Sequence, residues 1–321
     1  MLSKYAYIVG ACSKYTVELC ALLNSLDHVG NKQDFHLIGI DIPESFTSQF
    51  DKLGYKVIHH AISKEEVEES RGISEVTCRK RYWYAGHYGV AYRAICILDA
   101  DLIFTRNPIQ FFNIAEKTGY ILGPCKEQNK VYDDPHQEVD GKWIIEKGTY
   151  NDKDLCNSPV FIDARVWYES LMKSWDIFLK HGYKAPDMDA MNMCFLEAGA
   201  YDKIVKLAGL QWLGTNEQML KPYIRVVERR GKLFNECGPE IFSFHGHYAH
   251  KKWRENQIQN RHNCAEGYLK ASANSDSMAK GAMELLYKTF KDMFFGKIKI
   301  EPFNYRHPEM EPEADYGDLW D

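Results

Sequence analysis

Two aspartates, Asp99 and Asp101, follow the apolar run Ile95-Cys96-Ile97-Leu98 with only Ala100 between them. Hard divalent cations take oxygen ligands. Side chains alternate along an extended chain, so carboxylates spaced i, i+2 point the same way while the backbone stays extended. Four apolar residues, two of them β-branched, predict a buried strand, and open α/β sheets gather ligands at the carboxyl ends of their strands. The pair is therefore a candidate cation site. Taken alone, Asp-x-Asp is equally a polar turn that ends a strand.

Three later stretches add chemistry. Phe244-His245-Gly246-His247-Tyr248-Ala249-His250-Lys251-Lys252-Trp253 offers three imidazoles and two lysines. His245 follows the apolar run 241–244, which places it at a strand's end, with Gly246 turning the backbone away. A neutral imidazole beside two carboxylates suits Mn²⁺ better than Ca²⁺. Asp187 and Asp189 open the apolar helical run 188–196; acids in a first turn also simply favour the helix dipole. In Thr77–Tyr84, Arg79, Lys80 and Arg81 are consecutive cations. They cannot all face one direction on a helix, so at most one or two reach a ligand phosphate and the remainder face solvent.

The elements that must position these groups alternate. Tyr5–Ala11 reads as a strand, followed by a helix with an apolar stripe over 17–26 that Ser13 or Thr16 would cap. Phe35–Asp41 and Tyr55–His59 are further strands, with a short helix over 44–53 between them. A helix over 76–92 packs beneath the Asp99 strand, then come a short helix (109–112) and a strand (120–124). Such alternation predicts a parallel sheet covered by helices. Residues 126–154 are long for a structureless loop and read as a functional flap, a wall of an acceptor site, or a small hairpin using Trp143-Ile144-Ile145. Asn157–Asp163 is a strand and 164–181 an amphipathic helix. Late strands are expected at 204–207, 211–213 and 241–245, and a terminal helix at 278–295.

Composition narrows the function classes. Of 321 residues, 26% are charged and 45% hydrophobic, as in ordinary globular chains. A net charge of −5 gives no electrostatic case for nucleic-acid binding. The 20 tyrosines and 7 tryptophans suit sugar- or base-binding surfaces, and large cores also use them. Nine scattered cysteines without Cys-x-x-Cys fit a reducing compartment and hold no zinc spacing. No apolar stretch is long enough for a membrane span, so a soluble, cytoplasmic protein is expected. No Gly-x-Gly-x-x-Gly or Walker sequence occurs.

Five segments, in order, resemble the glycogenin-like retaining glycosyltransferases (glycosyltransferase family 8): Ile8–Ala11 with Tyr15; Leu98–Asp101; Asn157-Ser158-Pro159-Val160; Asp187–Asn192; and His245 with Lys251-Lys252-Trp253. The last echoes the family's His-x5-Lys-Pro-Trp with Lys252 in place of Pro. The resemblance spans residues 5 to 255. It implies the GT-A fold, a Rossmann-like α/β domain over 1–255 with a mostly parallel central sheet, a small additional sheet, and a C-terminal helical extension with an acidic tail over 256–321.

The same resemblance implies roles. Asp99, Asp101 and His245 would hold Mn²⁺ or Mg²⁺ against the diphosphate of a UDP-sugar. Ala11 and Tyr15 would contact the uridine, Tyr15 by stacking, and Lys251 would neutralise the leaving diphosphate. Asn157 and Ser158 would flank the donor sugar, and Asp187 would hydrogen-bond its hydroxyls near the reacting carbon; Asp187 and Asn157 are the catalytic candidates. Arg81, Ala100 and Met188 complete the donor-binding set. Two departures concern the donor sugar: Asn157-Ser158-Pro159 stands where the family has Asn-Ala-Gly, and Met188 where Gln is usual. A third lies at the base, where Cys12-Ser13-Lys14 replaces a polar uridine-binding pattern.

The expected activity is metal-dependent, retaining transfer of a hexose from a UDP-sugar to an acceptor that the sequence leaves open: glycan, lipid, protein or polyol. A self-glycosylating primer, a nucleotide-sugar-binding protein without turnover, and a homodimer all remain open at this point. A metal-dependent nucleotidyltransferase or phosphatase fits the His-to-Lys spacing less well.

Overall fold

The computed structural model describes residues 3–12, 15–42, 44–51, 54–63, 65–66, 73–124, 138–139, 142–143, 155, 158–180, 187–207, 210–214, 226–230, 232–235 and 240–247. Strand β1 (Tyr5–Cys12) is buried along nearly its whole length because it lies mid-sheet with helices on both faces. Its side chains divide by parity. Tyr5, Tyr7, Val9 and Ala11 enter one core layer, and Ala6, Ile8 and Cys12 enter the other.

The first layer is closed by α1 (Thr16–His28) through Leu19, Leu22, Leu23 and Leu26, by α2 (Glu44–Asp51) through Phe46 and Phe50, and by α4 (Ile109–Thr118). The second is closed by α3 (Ile73–Gly89), α5 (Tyr168–Lys180) and α6 (Asp187–Glu197). Between them, β2 (Asp34–Ile40), β3 (Val57–Ala61), β4 (Ala94–Asp99), β6 (Ile121–Gly123), β9 (Val160–Ile162) and β10 (Ile204–Lys206) join β1 in the order β10-β6-β9-β4-β1-β2-β3. Strands β1 to β4 are mutually parallel where they pair, and so are β6 and β10.

Two features depart from the simple alternating pattern. Strand β9 runs antiparallel to both β4 and β6, so the sheet is mostly rather than wholly parallel. A second sheet, β11-β14-β5, forms from β5 (Leu102–Phe104), β11 (Leu210–Gly214) and β14 (Ser243–His247). Strand order reverses at β1: chain growth goes outward to β2 and β3, then returns to β4 on β1's other side. That reversal opens a crevice at the carboxyl ends of β1 and β4, the usual ligand position in such sheets.

Several local expectations change. Tyr15, not Ser13 or Thr16, caps α1, and it does so without a side-chain hydrogen bond; Thr16 is already helical and Ser13 lies outside the described residues. Strand β3 starts at Val57 rather than Tyr55, because the Tyr55 hydroxyl turns inward to the carbonyls of Leu23 and Asn31. Helix α4 runs to Thr118, well past Phe112, and ends at Gly119 in the left-handed conformation, where the Gly119 N–H donates to the Ala115 carbonyl. In 126–154 a two-stranded hairpin, β7 (Glu138–Val139) with β8 (Lys142–Trp143), is described. The rest of that segment, the helix expected at 278–295 and the whole of 256–321 lie outside the described residues. A further hairpin, β12 (Val226–Arg229) with β13 (Lys232–Asn235), had no counterpart in the sequence reading.

From the amino end of β2 across to β3, polar side chains form a closed network. Tyr92 Oη donates to Asp34 Oδ2 at 3.0 Å and lies 2.8 Å from His36 Nε2. His36 Nδ1 is 2.9 Å from His60 Nε2, and the two rings stack. Tyr84 and Tyr88 cover His60, while Lys56 reaches Asp34. Burial pushes both imidazoles down to about 4, each helped by a neighbouring imidazole: His60 beside His36, and His59 beside His60. The unfolded chain takes up protons below about 6.5, whereas these two sites stay neutral until about 4. Stability should therefore be flat above that upper value and fall as pH drops through the window, with His36 alone contributing up to about 1.4 kcal/mol per pH unit. Urea midpoints compared at pH 7.5 and 5.5 check this, and His60→Gln should flatten the slope. A wild-type midpoint unchanged over that range contradicts it.

Candidate active site

The two aspartates sit where the chain passes from one sheet to the other. Asp99 is the last residue of β4 and pairs with Gly10 on β1, so it lies beside Ala11 at the strand-order reversal. Ala100 and Asp101 form a turn, and Leu102 begins β5 in the smaller sheet. The extended geometry expected for the pair is thus replaced by a turn. The chain must bend there, because β4 and β5 belong to different sheets.

Asp99 is held from both sides. Its backbone N–H donates to Ser158 Oγ at 2.7 Å, which ties β4 to the segment entering β9. Its Oδ1 accepts from Arg81 Nη1 in an ion pair. The Arg81 side chain is fully buried while Asp99 keeps 22% exposure, so the pair is dry on the helix side and open on the crevice side. This corrects the expectation of solvent-facing cations on α3. Lys80 is buried too and pairs with Glu66, and burial lowers its ammonium pKa. The Arg79 guanidinium lies 5.8 Å from the centre of the Phe178 ring.

The remaining site residues arrive from three directions. In β14, His245 pairs with Leu102 on β5 and with Trp212 on β11, which puts its backbone one residue from Asp101 across the ladder. The strand continues through Gly246 to His247, so His245 sits inside β14 rather than at its end. Tyr15 heads α1 at the crevice and packs against both core layers. Ala11 and Ala100 are buried. Asp187 and Met188 are the first two residues of α6. Ser158 is fully buried and points its hydroxyl at Asp99. The side chains of Asp187, Met188 and His245, and all of Asn157 and Lys251, lie outside the described set. Among the described residues no three His, Cys, Asp or Glu side chains stand close enough together to share a cation.

One positioning residue escaped the sequence reading although its segment was singled out. Buried Asn192 donates from Nδ2 to the Leu155 carbonyl at 2.9 Å and accepts the Leu155 N–H at Oδ1, 3.1 Å away. This two-point clamp ties α6 to the chain just before Asn157-Ser158. The signal was an Asn on the apolar side of a helix, where an unpaired amide would be costly.

No protein-family model matches the chain, and no curated protein sequence matches it. Solved structures do. The bifunctional glycosyltransferase WbbM in its apo form superposes with a TM-score of 0.56 at 10% identity, covering 89% of this chain and 52% of its own. An active-site mutant of LgtC superposes with a TM-score of 0.52 at 11% identity, covering 77% of this chain and 90% of its own. The fold is GT-A. The chain thus spans about half of the WbbM structure and most of the LgtC one. In this GT-A fold the central sheet, the reversal at β1 and the β4–β5 turn are the scaffold, and Ala11, Asp99 and Asp101 sit at its carboxyl edge.

A guanidinium with no exposure needs its carboxylate, since breaking a buried pair typically costs 3–5 kcal/mol. Arg81→Ala should lower the unfolding free energy by about 3 kcal/mol, and Asp99→Asn by a comparable amount. The double mutant should cost clearly less than the sum, because the residues act as a unit. Urea denaturation of the three variants measures this, and strictly additive losses would show that the pair carries no coupling.

Proposed function

We propose that this protein is a metal-dependent, retaining glycosyltransferase that moves a hexose from a UDP-sugar to an acceptor. The observation that carries the reading is the place of Asp99 and Asp101. They sit on the turn at the carboxyl end of β4, next to β1 at the strand-order reversal, with the His245 backbone alongside. The fold shared with WbbM, a bifunctional glycosyltransferase, and with LgtC supports it.

Two carboxylates and an imidazole form a donor set that suits Mn²⁺ or Mg²⁺. When bound, the cation would supply Lewis-acid stabilisation of the diphosphate as the sugar–phosphate bond breaks. The chain's own residues do the rest. Asp99 is pre-oriented by Ser158 through its amide and by Arg81 through its carboxylate, so little reorganisation is needed when charge develops. Lys251 would add a cation to the leaving diphosphate. Ala11 and Tyr15 form the edge of the crevice where the uridine would lie, and Ala100 leaves room for it to approach. Arg81 acts through Asp99 rather than on the ligand, because its side chain has no exposure. Asp187 and Met188, heading α6, would face the hexose together with Asn157, and Asp187 would hydrogen-bond its hydroxyls to orient the reacting carbon. Residues 126–154 would wall the acceptor site.

Purified protein incubated with UDP-hexoses and Mn²⁺ should release UDP, and a chelator should abolish the release. With an acceptor, the product should keep the donor's anomeric configuration. Asp101→Asn should lower turnover by about 100-fold or more, a loss of about 3 kcal/mol or more in transition-state stabilisation, while melting near the wild-type temperature. Turnover that is unaffected by chelation, or confined to non-uridine nucleotide sugars, would overturn the reading.

A further inference from the structure

Two buried polar atoms have no hydrogen-bond partner among the described residues: Asp41 Oδ2, just past the carboxyl end of β2, and His59 Nε2, which reaches toward that end from the middle of β3. Leaving such an atom unpaired typically costs about 1–3 kcal/mol, and native structures keep few of them without a reason. Both belong to one corner. A Cβ at position 39 would collide with His59 Nε2, so the imidazole leans over Gly39 and can do so only because that residue lacks a side chain. Asp41 follows two residues later with φ of +53°, a left-handed conformation uncommon outside glycine. Backbone strain of this kind concentrates at ligand sites.

The corner stands in register with the candidate active site. Gly39 pairs with Ala11 on β1, and Gly10, beside Ala11, pairs with Asp99 on β4. From Asp99 to the end of β2 is therefore two strand spacings, about 10 Å, comparable with the reach from phosphate to base in a nucleotide. Strand β1 itself ends in buried Ala11 and Cys12, neither of which is a strong hydrogen-bonding side chain.

We infer that Asp41 and His59 are the nucleoside-reading pair, hydrogen-bonding the nucleoside of the donor whose diphosphate lies at Asp99 and Asp101. The inference rests on the UDP-sugar reading and deepens it. Asp41 is an acceptor that requires an N–H or O–H. Burial lowers the His59 pKa, so the ring is neutral and carries one N–H and one lone pair. A donor beside an acceptor satisfies both, and uridine offers that twice: the N3–H beside a carbonyl in the base, and the vicinal hydroxyls of the ribose.

Calorimetric titration of the full chain in Mn²⁺ with UDP, 3-methyl-UDP and 2′-deoxy-UDP tests it. Asp41→Asn and His59→Phe should each weaken UDP binding about tenfold or more, one lost hydrogen bond at a buried site. Without nucleotide, His59→Phe should melt at or above wild type, because an unpaired buried nitrogen has been removed, and Asp41→Asn, which exchanges one polar atom for another, should melt near it. Gly39→Ala, which displaces the imidazole, should weaken UDP in the same way and serves if another variant folds poorly. If the base is read, 3-methyl-UDP binds wild type as weakly as UDP binds the variants; if the ribose is read, 2′-deoxy-UDP does. Variants that bind UDP as wild type does overturn the inference while the UDP-sugar reading stands. Wild-type protein that binds none of the three overturns both.

Discussion

The ion pair between Arg81 and Asp99 sets the terms for the rest of the molecule. A guanidinium with no solvent access is tolerable only beside a carboxylate, so α3 must pack where Arg81 can reach the end of β4. That demand fixes α3 on one face of the sheet, where Tyr82, Tyr84 and Ala85 enter the same core layer as Ile8, Ile97 and Val160. It also fixes the carboxylate of Asp99 at the crevice mouth, because the other side of the pair is sealed. Ser158 holds the amide of the same residue from β9, and Asn192 holds the approach to Ser158 from α6. The first aspartate of the pair is thereby positioned by α3 and β9, and through β9 by α6, with no part of that support coming from ligand.

The turn at Ala100 and Asp101 follows from the same constraint. Strand β4 cannot continue in the main sheet beyond Asp99, and the chain crosses at once into β5, which pairs with β14. That crossing brings His245 to the neighbourhood of Asp101, although 144 positions separate them in sequence. The smaller sheet is in effect a bracket that carries a distant segment to the carboxyl edge of the larger one. Its cohesion comes from backbone pairing and from aromatic contact, as where Phe242 meets Phe111 edge-on with centroids 4.9 Å apart.

Much of this was legible in the residues. The runs Tyr5–Ala11, Phe35–Asp41 and Ile95–Leu98 read as buried strands because apolar, β-branched stretches between polar turns have few other uses. The pairing of β1 with β2 and of β2 with β3 followed from the helices between them. What stayed hidden was whatever depends on contacts distant in sequence. Arg81 was placed among the donor-binding residues, since burial of a charge against a carboxylate cannot be read without its partner 18 positions away. The small second sheet was expected only through the family resemblance, and which strand would run antiparallel was not legible, because strand direction is set by pairing and not by composition. His245 was recognised by its spacing to Lys251 and Trp253, yet its place inside β14 was not, because Gly246 looked like a turn and in fact continues the ladder with Leu213 on β11.

The two ends of the main sheet treat polar groups in opposite ways. At the amino end of the strands they are closed off. Tyr5 Oη lies within hydrogen-bond distance of Asn113 Oδ1 and Glu116 Oε2, Lys4 neutralises Glu116, and Asp34, Tyr92 and His36 satisfy one another, with His60 joining them from farther along β3. Such networks rigidify a sheet edge and offer nothing to a ligand. The carboxyl end gathers Asp41, His59, Asp99 and Asp101, of which Asp99 is part-exposed and two others hold buried atoms without partners among the described residues. Both ends lie on the same strands and the same cores, so hydrophobic packing does not account for the difference. A chain that must stay folded and also bind polar substrate is expected to concentrate its unmet hydrogen bonds at one edge, where ligand can meet them, and to leave as few as possible elsewhere. In an α/β sheet that edge is dictated by topology: the reversal at β1 opens the crevice only at the carboxyl side, and the unmet polar atoms of Asp41 and His59 lie there, along with the part-exposed, ion-paired Asp99.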